Sequence, residues 1–158
     1  MIITWQGGHD FTLKAKGINV VLSDKPKLGE LVIDEPGEYE VGGVQLDWID
    51  GVVQVYLEGL NISHIKKAKV LSDEELEKLN GIDILLVGVG GGEFSETKTA
   101  ISVMSQIEPS VVIPMYAANL EEFTKQESSA GAPIDEYKVT KADLPVDGQD
   151  IVILNASK

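Results

Sequence analysis

Residues 82–115, IDILLVGVGGGEFSETKTAISVMSQIEPSVVIPM, decide the fold class of this chain. The apolar run at 82–87 predicts a buried strand, and after a glycine loop the spacing of apolar residues predicts a helix from about Thr97 to Ile107. Residues 110–114 predict a second buried strand, just beyond Pro109. A strand, a helix and a strand in this order form a crossover unit, so we expect the two strands to pair in parallel.

The chain before this unit is rich in β-branched residues separated by glycine turns. Its apolar runs predict eight strands, at residues 2–5, 11–15, 18–22, 31–34, 39–41, 44–49, 52–57 and 60–63. Turn pairs such as Asp50-Gly51 and Glu58-Gly59 are short, so neighbouring strands should form antiparallel hairpins.

Helices and strands are also expected on either side of the crossover unit. Ser72 should cap a short helix at 73–79, and a further helix is predicted at 120–125. A polar loop at 126–133 then precedes closing strands at 136–139 and 150–154. No stretch has the composition of a linker, so we expect residues 1–158 to form a single α/β (α+β) domain with mixed sheets.

Composition excludes several classes of partner. The chain has 26 acidic and 13 basic residues and a formal charge of −13, which repels nucleic acids and anionic membranes. No apolar run approaches the roughly 20 residues of a membrane helix. The first residues lack the pattern of a secretion signal, so a cytoplasmic location is expected. The absence of cysteine excludes disulfides and thiolate metal sites.

Four segments in order resemble small bacterial metallo-β-lactamase-fold hydrolases of the ascorbate-phosphate lactonase-like branch. They are MIITWQGGHDFTL at 1–13, VIDEPGEYEVGGV at 32–44, LSDEELEKLNGIDILLVGVGGGEF at 71–94 and IEPSVVIPMY at 107–116. The resemblance implies an αββα sandwich, with two sheets face to face and helices outside. It also implies a site at one edge, where histidines and aspartates bind one or two metal ions that activate water.

Other residues stand where that family carries its metal ligands. The H-x-H-x-D-H loop of the family would fall at residues 25–30, which read KPKLGE. The bridging aspartate would follow His64, where this chain carries Lys67, and the last histidine of an IPMH motif is Tyr116. The resemblance therefore implies a degenerate member, with a vestigial site at His64, Lys67 and Tyr116.

The histidine count leads to the same expectation without any family. A catalytic zinc ion needs about three protein ligands, chiefly histidine, cysteine and carboxylate. This chain offers only His9 and His64, which we interpret as surface or hydrogen-bonded core residues. We predict no metal ion and no other cofactor, with a relocated metal site as the alternative.

Two further segments could bind a ligand. Gly90, Gly91 and Gly92 follow a strand and precede a helix, where backbone N–H groups can hold a phosphate. No Gly-Lys-Ser/Thr follows them, so a tight turn is the simpler interpretation. The cluster Lys66-Lys67, with Lys69 nearby, is either a solvated loop or a site for an anionic ligand or an acidic partner.

Glu38 and Glu40 lie two residues apart on a predicted strand and project from the same face. Paired carboxylates could serve acid–base chemistry or bind calcium. No calcium-loop pattern accompanies them, so we interpret the pair as an exposed acidic sheet surface.

We therefore expect a non-catalytic protein that acts as a binding or structural module, with a small-molecule ligand that the sequence does not name. The alternative is a metal-dependent hydrolase of the lactonase or phosphoesterase type, whose site is relocated or completed by another chain. Loss of the metal-binding loop should expose five apolar groups: Leu28, Leu31, Val89, Phe94 and Tyr116. Such groups and uncovered strand edges predict a homodimer or another homo-oligomer.

Overall fold

The first sheet is antiparallel and comes mostly from the start of the chain. The structure, a computed structural model, describes residues 1–79, 81–117, 120–127 and 130–157. The strands of this sheet are β1 (Ile2–Gly7), β2 (Asp10–Ala15), β3 (Ile18–Leu22), β4 (Lys27–Leu28), β5 (Leu31–Val32) and β12 (Tyr137–Lys138). They lie in the order β12-β1-β2-β3-β4-β5, and every neighbouring pair is antiparallel. The predicted hairpins are confirmed here.

The second sheet is mixed. Its strands are β6 (Gly37–Val41), β7 (Val44–Ile49), β8 (Val52–Leu57), β9 (Leu60–Ile65), β10 (Ile84–Gly88), β11 (Val111–Met115) and β13 (Asp150–Ile151). They lie in the order β13-β11-β10-β9-β8-β7-β6. Strands β6 to β9 are antiparallel, whereas β9, β10, β11 and β13 run in parallel. The parallel pairing expected of the crossover unit is confirmed.

In the part of the chain that the structure describes, the remaining elements are three helices and one short 3₁₀ turn: α1 (Asp73–Lys78), α2 (Thr97–Ile107), α3 (Glu121–Gln126) and Lys141–Asp143. Ser72 caps α1 as predicted, because its Oγ accepts from the N–H of Glu75 while the Glu75 carboxylate accepts from the N–H of Ser72. Helix α2 ends at Ile107, and its C-cap residue Glu108 adopts a left-handed conformation. Within the described residues, no helix is long and apolar enough to cross a bilayer.

Two apolar cores hold these layers together. The larger one lies between the sheets and includes Phe11, Leu13, Leu46 and Ile62, all fully buried. The smaller one lies between the outer face of the second sheet and the helices. Successive side chains of a strand point to opposite faces of the sheet, so the strands of the second sheet contribute alternate residues to the two cores. The expected sandwich of two face-to-face sheets is confirmed, in a reduced form.

Short elements account for most differences from the sequence prediction. The strand expected at 31–34 is only Leu31–Val32, and Lys27–Leu28 precedes it as a strand that was not predicted. The closing strands expected at 136–139 and 150–154 shrink to two residues each. The loop predicted at 126–133 includes Ser128 and Ser129, which lie outside the described residues.

The expected exposure of apolar groups was wrong at three positions. Leu28 and Val89 are completely buried, and Phe94 is 2% exposed. Leu28 is buried because β4 continues the first sheet, where it pairs with Val20 of β3. Leu31, in contrast, is 42% exposed, as expected. The segment that replaces the metal-binding loop therefore closes the core beneath it.

Candidate functional site

The three vestigial positions and the glycine loop lie at one end of the second sheet, which we call the vestigial edge. Parallel strands β9, β10 and β11 all end there, since Val87 pairs with Ile65 and Gly88 pairs with Met115. His64 is the next-to-last residue of β9, and Lys67 follows that strand. Tyr116 follows β11 directly. The crossover topology therefore brings together positions that are far apart in sequence.

His64 is buried between the two sheets and its ring is committed to a backbone contact. Its Nε2 lies 2.7 Å from the carbonyl oxygen of His9. A carbonyl oxygen only accepts, so Nε2 carries the proton and donates it. The ring also meets the Phe11 ring edge to face, at a centroid distance of 5.9 Å. Burial lowers the pKa of His64 to about 4, against the opposing effect of the hydrogen bond to His9. His64 is therefore neutral near pH 7.

Tyr116 is half-buried and belongs to an aromatic cluster. Its ring centroid lies 4.9 Å from that of Trp5, and Trp5 stacks on Phe11 at 6.3 Å. The indole Nε1 of Trp5 donates to the carbonyl oxygen of Gly8. Burial raises the pKa of Tyr116, so its phenol stays protonated near pH 7. These rings fill the space beside His64 with apolar surface.

Lys67 turns away from this aromatic cluster toward the glycine loop. Its exposed ammonium group donates to the carbonyl oxygen of Gly92 over 3.4 Å. The neighbouring Lys66 forms a long ion pair of 3.8 Å with Glu93. A protonated ammonium group offers hydrogens and no lone pair. Lys67 therefore supplies no ligand to a cation at this edge.

The glycine loop uses its own N–H groups internally. The N–H of Gly90 donates to Oγ1 of Thr97, and the N–H of Gly91 donates to the carbonyl oxygen of Ser95. Gly90, Gly91 and Gly92 all have positive φ, which glycine adopts without strain. The loop has the geometry of a tight turn, and a ligand role for it stays a prediction.

His9 lies near the same edge, on the turn between β1 and β2. Its Nε2 is 3.0 Å from Oδ1 of Asp24 and 3.5 Å from Oδ1 of Asp10. Both contacts are direct, so no space for a metal ion separates the imidazole from the carboxylates. Both carboxylates are at least half exposed, which weakens their electrostatic contribution to stability.

The residues at the vestigial edge do not fit the metal centre that the family resemblance implies. Of the three side chains, only His64 keeps a lone pair, on Nδ1, because Lys67 is an ammonium group and Tyr116 is a protonated phenol, and one imidazole nitrogen is too few for a metal centre. Across the described part of the chain, no group of three or more His, Asp or Glu side chains is arranged to hold a metal ion. No reaction step can be derived through a metal ion here.

Trp5 and Phe11 fill this edge, which was not predicted from the sequence. The signal lies in the first hairpin, where the Gly7-Gly8 turn sets the register that pairs Trp5 with Phe11. Both side chains then point to the same, inner face of the sheet. The sequence shows that both side chains are large, but their pairing follows only from the register of this hairpin.

Comparison with known proteins identifies the family. The sequence model described as beta-lactamase superfamily domain matches residues 6–116, more than half of the chain. No curated protein matches the sequence.

Solved structures share the fold at low sequence identity. A proposed zinc-dependent hydrolase of the metallo-β-lactamase superfamily from Thermotoga maritima superposes with a TM-score of 0.80 at 24% identity, over 98% of both chains. A metallo hydrolase from Ignicoccus hospitalis gives a TM-score of 0.67 at 11% identity, over 99% of this chain and 96% of that one. A proposed metal-dependent hydrolase from Parabacteroides distasonis gives 0.61 at 12% identity, over 96% and 91%. These structures share the fold expected from the sequence match. The chain belongs to the metallo-β-lactamase superfamily.

Proposed function

We propose that this chain is a non-catalytic, cytoplasmic member of the superfamily that acts as a binding module. The observation that carries the proposal is the packing of the vestigial edge. Trp5, Phe11 and Tyr116 occupy it with aromatic rings, and His64 is held among them by its bond to the His9 carbonyl. A filled, apolar edge leaves no place for a metal-bound water and a substrate carbonyl or phosphoryl group.

The chemistry of the remaining groups supports the same proposal. Hydrolases of this kind activate water by binding it to a metal ion, which lowers the pKa of that water. Without the metal, a general base must lie within hydrogen-bond reach of the attacking water. His64 is buried, its Nε2 donates to the His9 carbonyl, and burial lowers its pKa to about 4. A buried imidazole with so low a pKa is a weak general base near pH 7.

A hydrolysis assay with added metal tests this proposal. The purified protein is incubated with zinc, manganese or ferrous ions and with a chromogenic lactone or phosphodiester, over protein concentrations from about 1 to 100 μM. We expect turnover no faster than that of the metal ion alone. The concentration range covers a site completed by a second copy, because its activity per chain would rise as chains associate.

Two variants sharpen the assay. His9→Ala and His64→Ala remove the only imidazoles of the chain, so a relocated metal site would lose activity in one or both. Metal-dependent turnover in the wild type that disappears in either variant would replace the proposal with a working hydrolase. Metal-dependent turnover that both variants retain and that co-purifies with the chain would also contradict the proposal, because carboxylates alone can hold manganese.

A further inference from the structure

Helix α1 makes little apolar contact with the rest of the fold. Of the three helices in the described part of the chain, it alone buries no side chain, whereas α2 buries four and α3 buries Phe123. Leu76 of α1 is half-buried, and Leu79, just beyond the helix, is 8% exposed. A segment with so few buried apolar groups has a small free energy of local opening.

Polar side chains lie beside this helix on the outer face of the second sheet, and we call Gln54, Asn61 and Ser63 the polar strip. Gln54 of β8 pairs with Ser63 of β9. Asn61 shares the face of Ser63, because Ile62 between them points into the core between the sheets. All three are at most 9% exposed. The Nε2 of Gln54 donates to the carbonyl oxygen of Lys78 over 3.3 Å, which places the end of α1 beside the strip.

Two atoms of the polar strip are buried without a hydrogen bond. Among the described residues, neither Oδ1 of Asn61 nor Oγ of Ser63 has a partner. Such atoms are rare in folded proteins, because each one gives up the hydrogen bonds that water would form with it. Opening of α1 would return water to both atoms. The free energy recovered there offsets part of the apolar contact of Leu76 and Leu79 that opening gives up.

The chain before α1 is held more firmly than α1 itself. The side-chain amide of Gln106 binds both the N–H and the carbonyl oxygen of Leu71, each over 2.9 Å. The N–H of Ala68 donates to the buried hydroxyl of Ser95 over 2.7 Å. The far end of α1 has the longer hydrogen bond to the polar strip. Motion of α1 would therefore begin after Leu71 and leave the preceding segment in place.

A cleft of about 480 Å³ lies beside α1, with strands β7 and β8 on its other side. Its volume is within the range of roughly 300–1,000 Å³ that is typical of small-molecule sites. Gln54 lines this cleft, whereas Asn61 and Ser63 do not. Displacement of α1 would join these two residues to the cleft and add uncharged hydrogen-bonding groups to its wall.

We propose that α1 is a lid, which opens by local unfolding of residues 73–79 while both sheets and α2 stay folded. The closed lid buries Asn61 and Ser63, and the open lid exposes them at the border of the cleft. This device goes beyond the proposed function and does not depend on it, because a binding module and a hydrolase can both have one. The hydrolysis assay therefore neither supports nor contradicts the lid.

Thiol labelling measures the opening, because the chain has no cysteine of its own. Ser63→Cys places one thiol beneath the lid, and Val103→Cys, the matched control, places one at a fully buried position of α2. Each folded variant reacts with excess 5,5′-dithiobis(2-nitrobenzoate) without urea and in low urea. We expect Ser63→Cys to react at least about 100-fold faster than Val103→Cys. Low urea should leave the faster rate unchanged, because local opening exposes little surface.

Removal of the helix cap tests whether the opening is that of α1. Ser72→Ala, combined with Ser63→Cys, should raise the labelling rate about fivefold, because the cap stabilises only the closed helix. Ser105→Ala, on the exposed face of α2, is the control and should leave the rate unchanged.

Hydrogen exchange of the unsubstituted protein provides a second measurement, which decides the matter if a cysteine variant does not fold. The N–H of Leu76 donates to the carbonyl oxygen of Ser72, and the N–H of Leu79 donates to that of Leu76. Both amides should exchange about 100-fold faster than the amide of Met104, which is buried in α2.

The lid is overturned if the amides of Leu76 and Leu79 are protected as strongly as that of Met104. It is also overturned if the two thiols react equally with the same urea dependence, if neither reacts in the folded proteins, or if Ser72→Ala has no effect. Reaction of Ser63→Cys as fast as that of a free thiol would contradict it as well, because α1 would then not cover this position.

Discussion

His64 is the side chain at the vestigial edge that most resembles a metal ligand, because metal-binding histidines often donate one ring N–H to a backbone carbonyl, as Nε2 does to His9. A metal ion needs about three protein ligands, however, and neither Lys67 nor Tyr116 supplies one beside His64. The burial of His64 is that of a core residue, since only 5% of it is exposed.

The pKa of His64 makes stability depend on pH. Burial lowers its pKa from 6.5 to about 4 in the folded protein, so between these values the unfolded chain binds more protons than the folded one. The stability that this residue contributes is complete above about pH 6.5 and is lost as pH falls toward 4. By linkage the loss between pH 7 and pH 4.5 is about 2–3 kcal/mol.

Urea unfolding of the wild type and of His64→Gln at these two pH values measures that loss. The variant keeps an amide donor for the His9 carbonyl but does not titrate. We expect the stability of the wild type to fall more steeply with acid than that of the variant, whose carboxylates otherwise titrate in the same way. Equal losses in the two proteins would show that His64 is not buried in its neutral form.

Gly88 is a second residue of interest, because the structure leaves no room for a side chain there. A Cβ atom built there would lie 2.0 Å from the carbonyl oxygen of Lys66 and 2.8 Å from the Phe94 ring. Gly88→Ala should therefore cost more than about 3 kcal/mol, because the backbone of β10 and the segment that follows β9 would have to separate. Gly131→Ala meets no atom within 4 Å and should stay within about 0.5 kcal/mol of the wild type. Thermal unfolding of both variants tests the requirement, and a Gly88→Ala protein as stable as the control would contradict it.

Helix α1 shows how a six-residue helix depends on its N-terminal cap. Isolated helices of this length are marginal in water, so their ends and packing decide whether they form. Ser72 and Glu75 satisfy each other's backbone N–H groups at the start of α1. This helix also lines a cleft, together with β7 and β8, on the outer face of the second sheet.

Ser72→Ala removes the side-chain acceptor of this cap and should lower the free energy of unfolding by about 1 kcal/mol. The loss should also broaden the amide signals of Glu75 and Leu76 as the first turn frays. Ser105→Ala, on the exposed face of α2, is the control and should cost nothing measurable. Chemical denaturation provides the comparison, and equal midpoints for the two variants would mean that the cap does not stabilise α1.

Long elements were predictable from the sequence, and short ones were not. The crossover strands and α2 follow from apolar periodicity, which persists over many residues. Strands β4 and β5 have two residues each, too few for any alternation to be read. That Lys67 and Tyr116 stand at ligand positions of the family is a prediction from motifs, whereas no motif predicts how α1 lies across β8. That arrangement is set by tertiary contacts such as the Gln54–Lys78 hydrogen bond.

The negative charge of the chain and its uncovered strand edges have opposite effects on self-association. Strand β6 ends the second sheet, and its exposed Glu38 and Glu40 discourage pairing with another strand. Strand β5 ends the first sheet, and its Leu31 and Val32 are 42% and 46% exposed. The burial of Leu28 removes part of the apolar surface expected to drive association. Of these two edges, we expect β5 rather than β6 to contact a second copy.

We propose that the chain forms a weak dimer through this β5 edge. Two chains of charge −13 repel each other, and salt screens that repulsion over about 8 Å at physiological ionic strength. Association should therefore strengthen with salt, and Leu31→Lys should weaken it while Val146→Lys, at an exposed position elsewhere, should not. Light scattering from low to high salt measures this. A monomer mass at all salt concentrations, up to roughly 100 μM protein, would exclude the dimer.

If the vestigial edge binds no metal ion, the purified protein should carry none, and elemental analysis measures its metal content. The protein is produced in medium supplemented with zinc, manganese and iron, passed through gel filtration without chelator and analysed by inductively coupled plasma mass spectrometry. Because His64, Lys67 and Tyr116 offer no suitable ligand set, we predict far less than one metal ion per chain. Close to one ion per chain, lost in His64→Ala but retained in the control Lys98→Gln, would contradict the account.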